Sequence, residues 1–412
     1  MRKRLLFILS AMLLSVVAVA QRHSYAEESV LREGNVVKIR VKETGIHAVT
    51  YDELKKWGLQ PEQVRVLGYG GNMLSENILL NKWDDVPSVA FYMHKGADGV
   101  FNSGDYILFY ARGAIGWEFT GKRWLHTRNP YSDYGYYFLS DAAGEQRLIT
   151  QTEALDGTTA LDVDWFTDCL LYEKELYNLI DKKGVSGGGR NFYGEVMQVG
   201  NNTLTIPFDT ENVRTDKQMV CFAEVAVGSS ERASVVMTVG NKSVTRYYDL
   251  IEVSDFYTKA KVDSIQLTTT PTTTGKQQVN LEFVNPVQFA MGYLDYIELN
   301  VPSELKMRGA QMAICNTAYQ NKAATIRFLL SGANANTQIW RVTDGVNIER
   351  MPTTQTNDGK LTWVGDNKTA EKYFALDVTQ KTWKKPQLIG KIANQNLHAL
   401  REKDYVIICP EE

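Results

Sequence analysis

The sequence predicts a mainly β protein of β-sandwich or jelly-roll-like domains, with a small α+β unit at its N-terminal end. Short runs of alternating apolar and polar residues recur between about 203 and 301, and polar turns such as Gly228-Ser229-Ser230 separate them. Helix signals are few, and the clearest one lies near the N-terminus. A third pattern, at residues 386–412, predicts the first helix and strand of an α/β domain.

Residues 1–20 predict a signal peptide. Arg2, Lys3 and Arg4 precede an apolar run that ends at Ala18-Val19-Ala20, with small residues where a signal peptidase cleaves. An uncleaved N-terminal anchor is the alternative. Cleavage leaves 42 basic and 48 acidic residues, a net charge of −6, and no basic stripe, so no nucleic-acid partner is expected. We expect a secreted or cell-surface bacterial protein.

Residues 21–115 form the small α+β N-terminal domain. Strands are predicted at 36–41 and 46–49, and then at 65–71, 88–93 and 104–111. Between them, Thr50 is a helix N-cap with Glu53 three residues later, and Gly58 ends the helix.

Three β segments follow. Residues 116–200 are an aromatic- and glycine-rich β region with loops, 201–305 a β-sandwich domain, and 306–385 a further β region. Strands are predicted at 219–227, 233–239, 262–269, 277–284, 294–301, 325–330, 338–342, 361–364 and 373–378. The threonine run at 268–274 is interpreted as a loop rather than a linker, because strands flank it.

The C-terminal residues 386–412 predict the start of an α/β domain. Pro386 opens an amphipathic stretch that includes Leu388 and Leu400, which predicts a helix over 386–403. The apolar run at 404–409 predicts a strand of a parallel sheet. We therefore expect this sequence to be the N-terminal part of a longer exported protein.

Two loops resemble ligand-binding motifs only in part. Residues 96–105, from Gly96 to Asp105 and including Asp98, carry oxygen side chains but miss the alternation and the final Glu of a calcium loop, so an Asx-rich turn is favoured. The Gly187-Gly188-Gly189-Arg190 run lacks the Lys-Ser/Thr ending of a phosphate loop, which favours a surface loop.

No catalytic, cofactor-binding or metal-ligating residue is assigned from the sequence, and no cofactor is expected. His398 and Cys409 are the one histidine and cysteine pair near the α/β-like end. Enzymes with an open α/β sheet carry their catalytic residues at the carboxyl ends of strands, but His398 precedes the predicted strand, so the pair is disfavoured. The aromatic residues at 117–138 suit either sugar binding or packing, and packing is favoured.

The four cysteines, Cys169, Cys221, Cys315 and Cys409, are far apart in sequence and contain no CxxC pair. Export permits disulfides and allows three pairings, while buried free thiols are the alternative.

Several segments together, in this order, resemble the N-terminal region of the type IX secretion sortases, gingipain-family cysteine peptidases of Bacteroidetes. The matching segments are VKIRVKETGI at 37–46, LGYGG at 67–71, FNSGDYILFYA at 101–111, NPYS at 129–132, YYFL at 136–139, MGYLDYI at 291–297 and QNLHAL at 395–400.

The resemblance implies an outer-membrane-associated protein that removes the C-terminal sorting domains of secreted cargo and attaches the cargo to anionic lipopolysaccharide. Its partners would be other secretion components, cargo sorting domains and that lipopolysaccharide. In this family the catalytic His and Cys lie in a caspase-like α/β domain, and no residue here matches them. Two other classes remain open: a stand-alone surface adhesin or glycan-binding β protein, and a periplasmic assembly subunit of the same apparatus.

Overall fold

The computed structural model describes residues 25–179, 191–252, 254, 258–284, 286–316, 325–368, 370–401 and 405–407. The predicted signal peptide lies outside them. The described residues form a mainly antiparallel β protein, which confirms the predicted fold class. No helix within these ranges combines the length and the apolar character needed to cross a membrane.

Among the described residues, nine strands and the one α-helix come from about the first third of the chain. The helix α1 (Tyr51–Lys56) carries the predicted capping box, because Thr50 Oγ1 accepts from Glu53 N while the Glu53 carboxylate accepts from Thr50 N. The strands are β1 (Val36–Val41), β2 (Gly45–Thr50), β3 (Arg65–Gly70), β4 (Ser88–Val89), β5 (Phe91–His94), β6 (Tyr106–Ala111), β7 (Ile115–Phe119), β8 (Trp124–Arg128) and β9 (Gly135–Ser140).

The middle and C-terminal parts contribute eighteen more strands among the described residues. Short 3-10 helices lie at Pro61–Gln63, Ile78–Leu80 and Leu397–Ala399. The strands are β10 (Leu161–Val163), β11 (Trp165–Glu173), β12 (Val196–Gln198), β13 (Thr203–Phe208), β14 (Met219–Gly228), β15 (Ala233–Val239), β16 (Lys242–Tyr248), β17 (Lys261–Thr269), β18 (Gln277–Val284), β19 (Met291–Glu304), β20 (Gln311–Cys315), β21 (Thr325–Leu330), β22 (Thr337–Val342), β23 (Ile348–Arg350), β24 (Thr354–Gln355), β25 (Leu361–Asp366), β26 (Lys372–Asp377) and β27 (Gln387–Ile392).

The N-terminal sheets pack face to face. A five-stranded sheet of order β27-β1-β9-β3-β4 covers one face of the three-stranded sheet β2-β6-β5, and Ile39, Phe109 and Leu139 lie in the shared core. The opposite face of β2 and β6 packs on β22 and β26, where Tyr110 lies edge-on to Phe374. Strand β2 is therefore apolar on both faces, with five consecutive buried residues.

A nine-stranded sheet is the largest element. Its order is β17-β14-β19-β11-β20-β26-β22-β23, with β12 beside β19. One half packs on the sheet β13-β18-β15-β16, and the other half packs on β10-β21-β25-β24. The two halves meet where β11 and β20 pair through a single bridge, Thr167 to Cys315. Two sandwiches thus share one sheet, joined at a narrow seam.

The helix predicted over 386–403 is wrong. Residues Gln387–Ile392 form β27, which pairs antiparallel with β1 at the edge of the five-stranded sheet. The apolar residues of this stretch suit an amphipathic helix or a strand, and the free edge of β1 selects the strand. Of the strand predicted at 404–409, Tyr405–Ile407 have no regular structure and the other residues lie outside the described ranges. The predicted domain boundaries stay predictions.

Candidate functional site

The β7–β8 hairpin docks on the nine-stranded sheet through side chains. Asn300 of β19 accepts from Trp124 N at 2.7 Å and donates to Trp124 O at 2.9 Å, and Glu298 accepts from His126 N at 2.7 Å. These two side chains satisfy backbone groups of β8 that a neighbouring strand would otherwise satisfy. The hairpin is therefore fixed to the sheet by polar contacts within a buried interface.

A buried charge network surrounds His126, which is 8% exposed. Its Nδ1 donates to Glu298 Oε1 at 2.6 Å, and its Nε2 lies 3.6 Å from Glu173 Oε1. Glu298 also binds Arg123, and Glu173 accepts from Arg128 at 2.8 Å. We call these five residues the docking network. Burial opposes protonation of His126, but hydrogen bonds and charge from Glu173 and Glu298 prevail and raise its pKa to about 9.

An open acidic pocket of about 560 Å³ adjoins this network and shares Arg128 and Glu173 with it. The remaining lining is acidic and aromatic. It consists of Asn129, Pro130, Tyr131, Ser132, Asp133, Glu175, Asn191, Phe192, Glu224, Asp295 and Tyr296.

A register shift brings Asp295 into the acidic pocket. Glu224 pairs with Tyr296 and Val225 with Leu294, so Asp295 is the extra residue of a β-bulge in β19. The side chain is 9% exposed, and burial together with the nearby Glu224 and Glu173 raises its pKa to about 8. At neutral pH this carboxyl group is therefore mostly protonated, and it can share its proton with Glu224.

Three carboxylates of the pocket could hold a cation. One oxygen each of Glu173, Glu175 and Asp295 lies within 4.8 Å of the others, and carboxylate oxygens are the ligands that Ca²⁺ prefers. Glu173 already binds Arg128 and faces protonated His126, and a cation would also have to displace the Asp295 proton. The cluster therefore needs rearrangement before it could act as a metal site.

The candidate motifs from the sequence analysis do not form a common site among the described residues. In the loop at 96–105, Asp98 accepts from Val100 N and Asp105 accepts from Asn102 N, which confirms the Asx-rich turn. The Gly187–Arg190 run and Cys409 lie outside the described residues, while His398 Nε2 lies 3.8 Å from Asp85. No hydrogen bond joins a histidine to a cysteine in the described ranges.

The aromatic residues of 117–138 mainly pack. Trp124 and Tyr137 are buried, Trp117 lies edge-on to His126, and Tyr134 stacks with Arg40. Tyr131 is exposed and lines the acidic pocket.

Sequence reasoning missed the docking network. The signal was the presence of Glu298 and Asn300 inside an otherwise apolar strand, since charged residues are rarely buried without partners. Their partners, Arg123 and Trp124, are more than 170 residues away in sequence. The strand pattern could therefore mark the acid as unusual, but not identify what it binds.

No protein-family model matches the chain, and no curated protein matches it. Among solved structures, dimeric latent PorU from Porphyromonas gingivalis superposes with a TM-score of 0.79 at 24% identity, covering 92% of this chain. The match covers 35% of the PorU chain, so this sequence spans about a third of that protein. The chain thus has a PorU-like fold.

Two carbohydrate-binding modules also match a part of the chain. The CBM36-1 domain of a multidomain xylanase from the hindgut metagenome of Trinervitermes trinervoides has a TM-score of 0.22 at 11% identity, covering 32% of this chain and 97% of its own. CBM36 in complex with calcium and xylotriose has a TM-score of 0.21 at 14% identity, covering 32% and 99%. Scores this low carry no argument about sugar or calcium.

Proposed function

We propose that this chain is the non-catalytic N-terminal region of a type IX secretion sortase. The whole protein would be an exported cysteine endopeptidase and transpeptidase that removes C-terminal sorting domains from cargo and attaches the cargo to anionic lipopolysaccharide. The observation that carries the proposal is the PorU-like fold over 92% of the chain. Its partners would be cargo sorting domains, the lipopolysaccharide and other secretion components at the outer membrane.

The ordered sequence segments support the same proposal, and two of them, at 37–46 and 67–71, pack against Gly113 at one junction of the fold. Gly71 of the LGYGG segment lies against Gly113, and Gly113 in turn lies against Lys42 of the first segment. A Cβ on Gly71 would stand 2.0 Å from Gly113 O, and one on Gly113 would stand 2.2 Å from Lys42 O. Only glycine fits such close backbone approach, so the backbone at this junction requires Gly71 and Gly113.

In this proposal the region acts as a scaffold, and the peptidase chemistry belongs to the caspase-like domain. The buried positions of Cys221 and Cys315 suit a structural role, because a nucleophilic thiol needs access and a nearby base. The purified mature chain is expected not to cleave a sorting-domain substrate. Cleavage that disappears with Cys409→Ala would contradict this role.

The cellular test deletes the gene in the bacterium that encodes this chain. We expect secreted cargo to keep its sorting domain, seen by mass spectrometry of cargo C-termini, and to lose the slow electrophoretic mobility that lipopolysaccharide attachment confers. Restoring the whole gene should restore both. Normal trimming and attachment in the deletion strain would overturn the proposal, and glycan binding by the purified protein would then support the adhesin alternative.

A further inference from the structure

We propose that Cys169 and Cys315 form a disulfide bond across the seam of the nine-stranded sheet. Cys169 lies in β11 and Cys315 ends β20, and these are the two strands that join the halves of the sheet. Both thiols are reduced in this structure.

The register of the two strands places the thiols on the same side of the sheet. Thr167 is the residue opposite Cys315, and Cys169 lies two positions further along β11. Residues two apart on a strand share a face, so Cys169 is the diagonal neighbour of Cys315. The Cys169 thiol donates to Thr167 O at 3.9 Å, and Thr167 is the residue opposite Cys315.

The seam permits the small movement that a diagonal pair needs. Disulfides usually require Cα atoms less than about 7 Å apart, and a diagonal pair lies at about 7–8 Å, so the two strands must move closer for the bond to form. Only one bridge, Thr167 to Cys315, holds β11 to β20, whereas β11 and β19 pair over nine residues. A strand held at one point can shift toward its neighbour with little loss of other hydrogen bonds.

The other described cysteine is excluded by its position. Cys221 in β14 pairs with Leu299, and Cys169 in β11 pairs with Asn300, so β19 separates the two cysteines. Two strand spacings amount to roughly 9.5 Å, which is beyond disulfide reach. Cys221 is fully buried and its thiol lies 3.5 Å from the Met237 sulfur.

The bond requires an oxidant, which is a small-molecule or protein disulfide. One thiolate attacks that disulfide to form a mixed disulfide and releases one thiol, and the second thiolate then displaces the other thiol. The two cysteines lose two protons and two electrons, and the oxidant becomes two thiols. Burial raises the pKa of the Cys169 thiol, so little thiolate exists at neutral pH and closure should accelerate as the pH rises.

The bond would tie the two sandwiches together by closing a loop of more than 140 residues. Closing so long a loop reduces the entropy of the unfolded chain. For a protein of this size we expect the oxidised form to melt about 5 °C above the reduced form. In the cell the bond rests on the proposed export, because disulfides persist in oxidising compartments. The test below uses purified protein, so its outcome does not depend on where the protein functions.

The test uses the whole mature chain with Cys409→Ser, which removes the cysteine outside the described residues. The protein is incubated with glutathione disulfide at pH 8.5, denatured, alkylated and digested without reductant. We expect a linked peptide pair containing Cys169 and Cys315, with Cys221 alkylated. Adding Cys221→Ser should preserve the linked pair, and adding Cys169→Ser should abolish it together with the rise in melting temperature.

Three outcomes would overturn the inference. The first is full alkylation of both cysteines after oxidation. The second is glutathione retained on Cys169 or Cys315 as a mixed disulfide, which would show that the second thiol cannot reach. The third is a linked pair that includes Cys221.

Discussion

His47 and His126 are buried to almost the same extent, yet at neutral pH His47 is neutral and His126 is positively charged. His47, 3% exposed in β2, lies near Phe109 and donates from Nδ1 to Gly45 O at 3.2 Å. Burial lowers its pKa to about 4, because a single carbonyl does not offset the loss of water. His126 is 8% exposed, but its two carboxylate partners raise its pKa to about 9.

The difference shows that partners, rather than exposure, decide the charge of a buried histidine. The N-terminal sheets associate mainly through apolar side chains, and the charges near His47, on Lys384 and Glu43, act on its pKa in opposite directions. The β7–β8 hairpin instead contacts a strand that carries Glu298 and Asn300, so its charges are compensated. The stability of the N-terminal sheets should therefore depend on apolar packing, and that of the docked β7–β8 hairpin on keeping every buried charge paired.

The largest expected effect comes from breaking the docking network at Glu298. Glu298→Gln keeps the shape but leaves protonated His126 and Arg123 without their shared counterion. Removing one partner of a buried ion pair costs about 3–5 kcal/mol. Urea unfolding at pH 7 should show this loss, and the control Glu304→Gln, at the exposed end of the same strand, should change stability by less than about 0.5 kcal/mol. A loss below about 1 kcal/mol would contradict the role of the network.

The fall in the free energy of unfolding at alkaline pH should depend on the titration of His126. Its pKa of about 9 in the folded state exceeds the usual 6.5, so its contribution is fully present below pH 6.5 and is lost as the pH rises through 9. The linkage amounts to about 3 kcal/mol. Unfolding free energies between pH 6.5 and 9.5 should fall for the native protein, and His126→Gln should make that fall less steep, while Asp295 still titrates in the same range. An unchanged slope in the variant would exclude His126 as the group that titrates.

The fall in the free energy of unfolding at acid pH should depend on His47, whose pKa shift has the opposite direction to that of His126. Its folded pKa of about 4 lies below 6.5, so its contribution is present above pH 6.5 and is lost as the pH falls through 4. The loss should again be about 3 kcal/mol at most, and it adds to that of other titrating groups. His47→Phe should reduce the difference between pH 6.5 and 4. Equal acid sensitivity of variant and native protein would show that His47 is already charged in the folded state.

The last effect concerns Asp295, beside the docking network. Its raised pKa means that its contribution to stability is largest below about pH 4 and is lost as the pH rises through 8. Asp295→Asn removes this acid from its cluster and should stabilise the protein at pH 8.5. Thermal melts at pH 8.5 and pH 4 should show the gain only at the higher pH. Destabilisation at pH 8.5 would indicate that ionised Asp295 has a favourable partner.

Local patterns predicted much of the secondary structure. The capping box at Thr50 and Glu53 and the alternation of β15 depend on residues close in sequence, and both are present. Several strands were missed, among them β11 and β16, because their side chains do not alternate between buried and exposed as an amphipathic strand's do. The loop at 268–274 was predicted from its flanking strands and joins β17 to β18.

By itself the sequence determined the fold class, since strands such as β15 and β18 carry a period-two pattern that depends only on residues close in sequence. Tertiary structure alone decided that residues 387–392 are a strand, because the apolar pattern allowed either form until the edge of β1 supplied hydrogen-bonding partners. It also decided the charge of His126, because Glu173 and Glu298 reach it from strands that are distant in sequence. Electrostatic and edge-pairing energies depend on distances between residues that the chain order does not specify, and these distances exist only once the sheets have assembled.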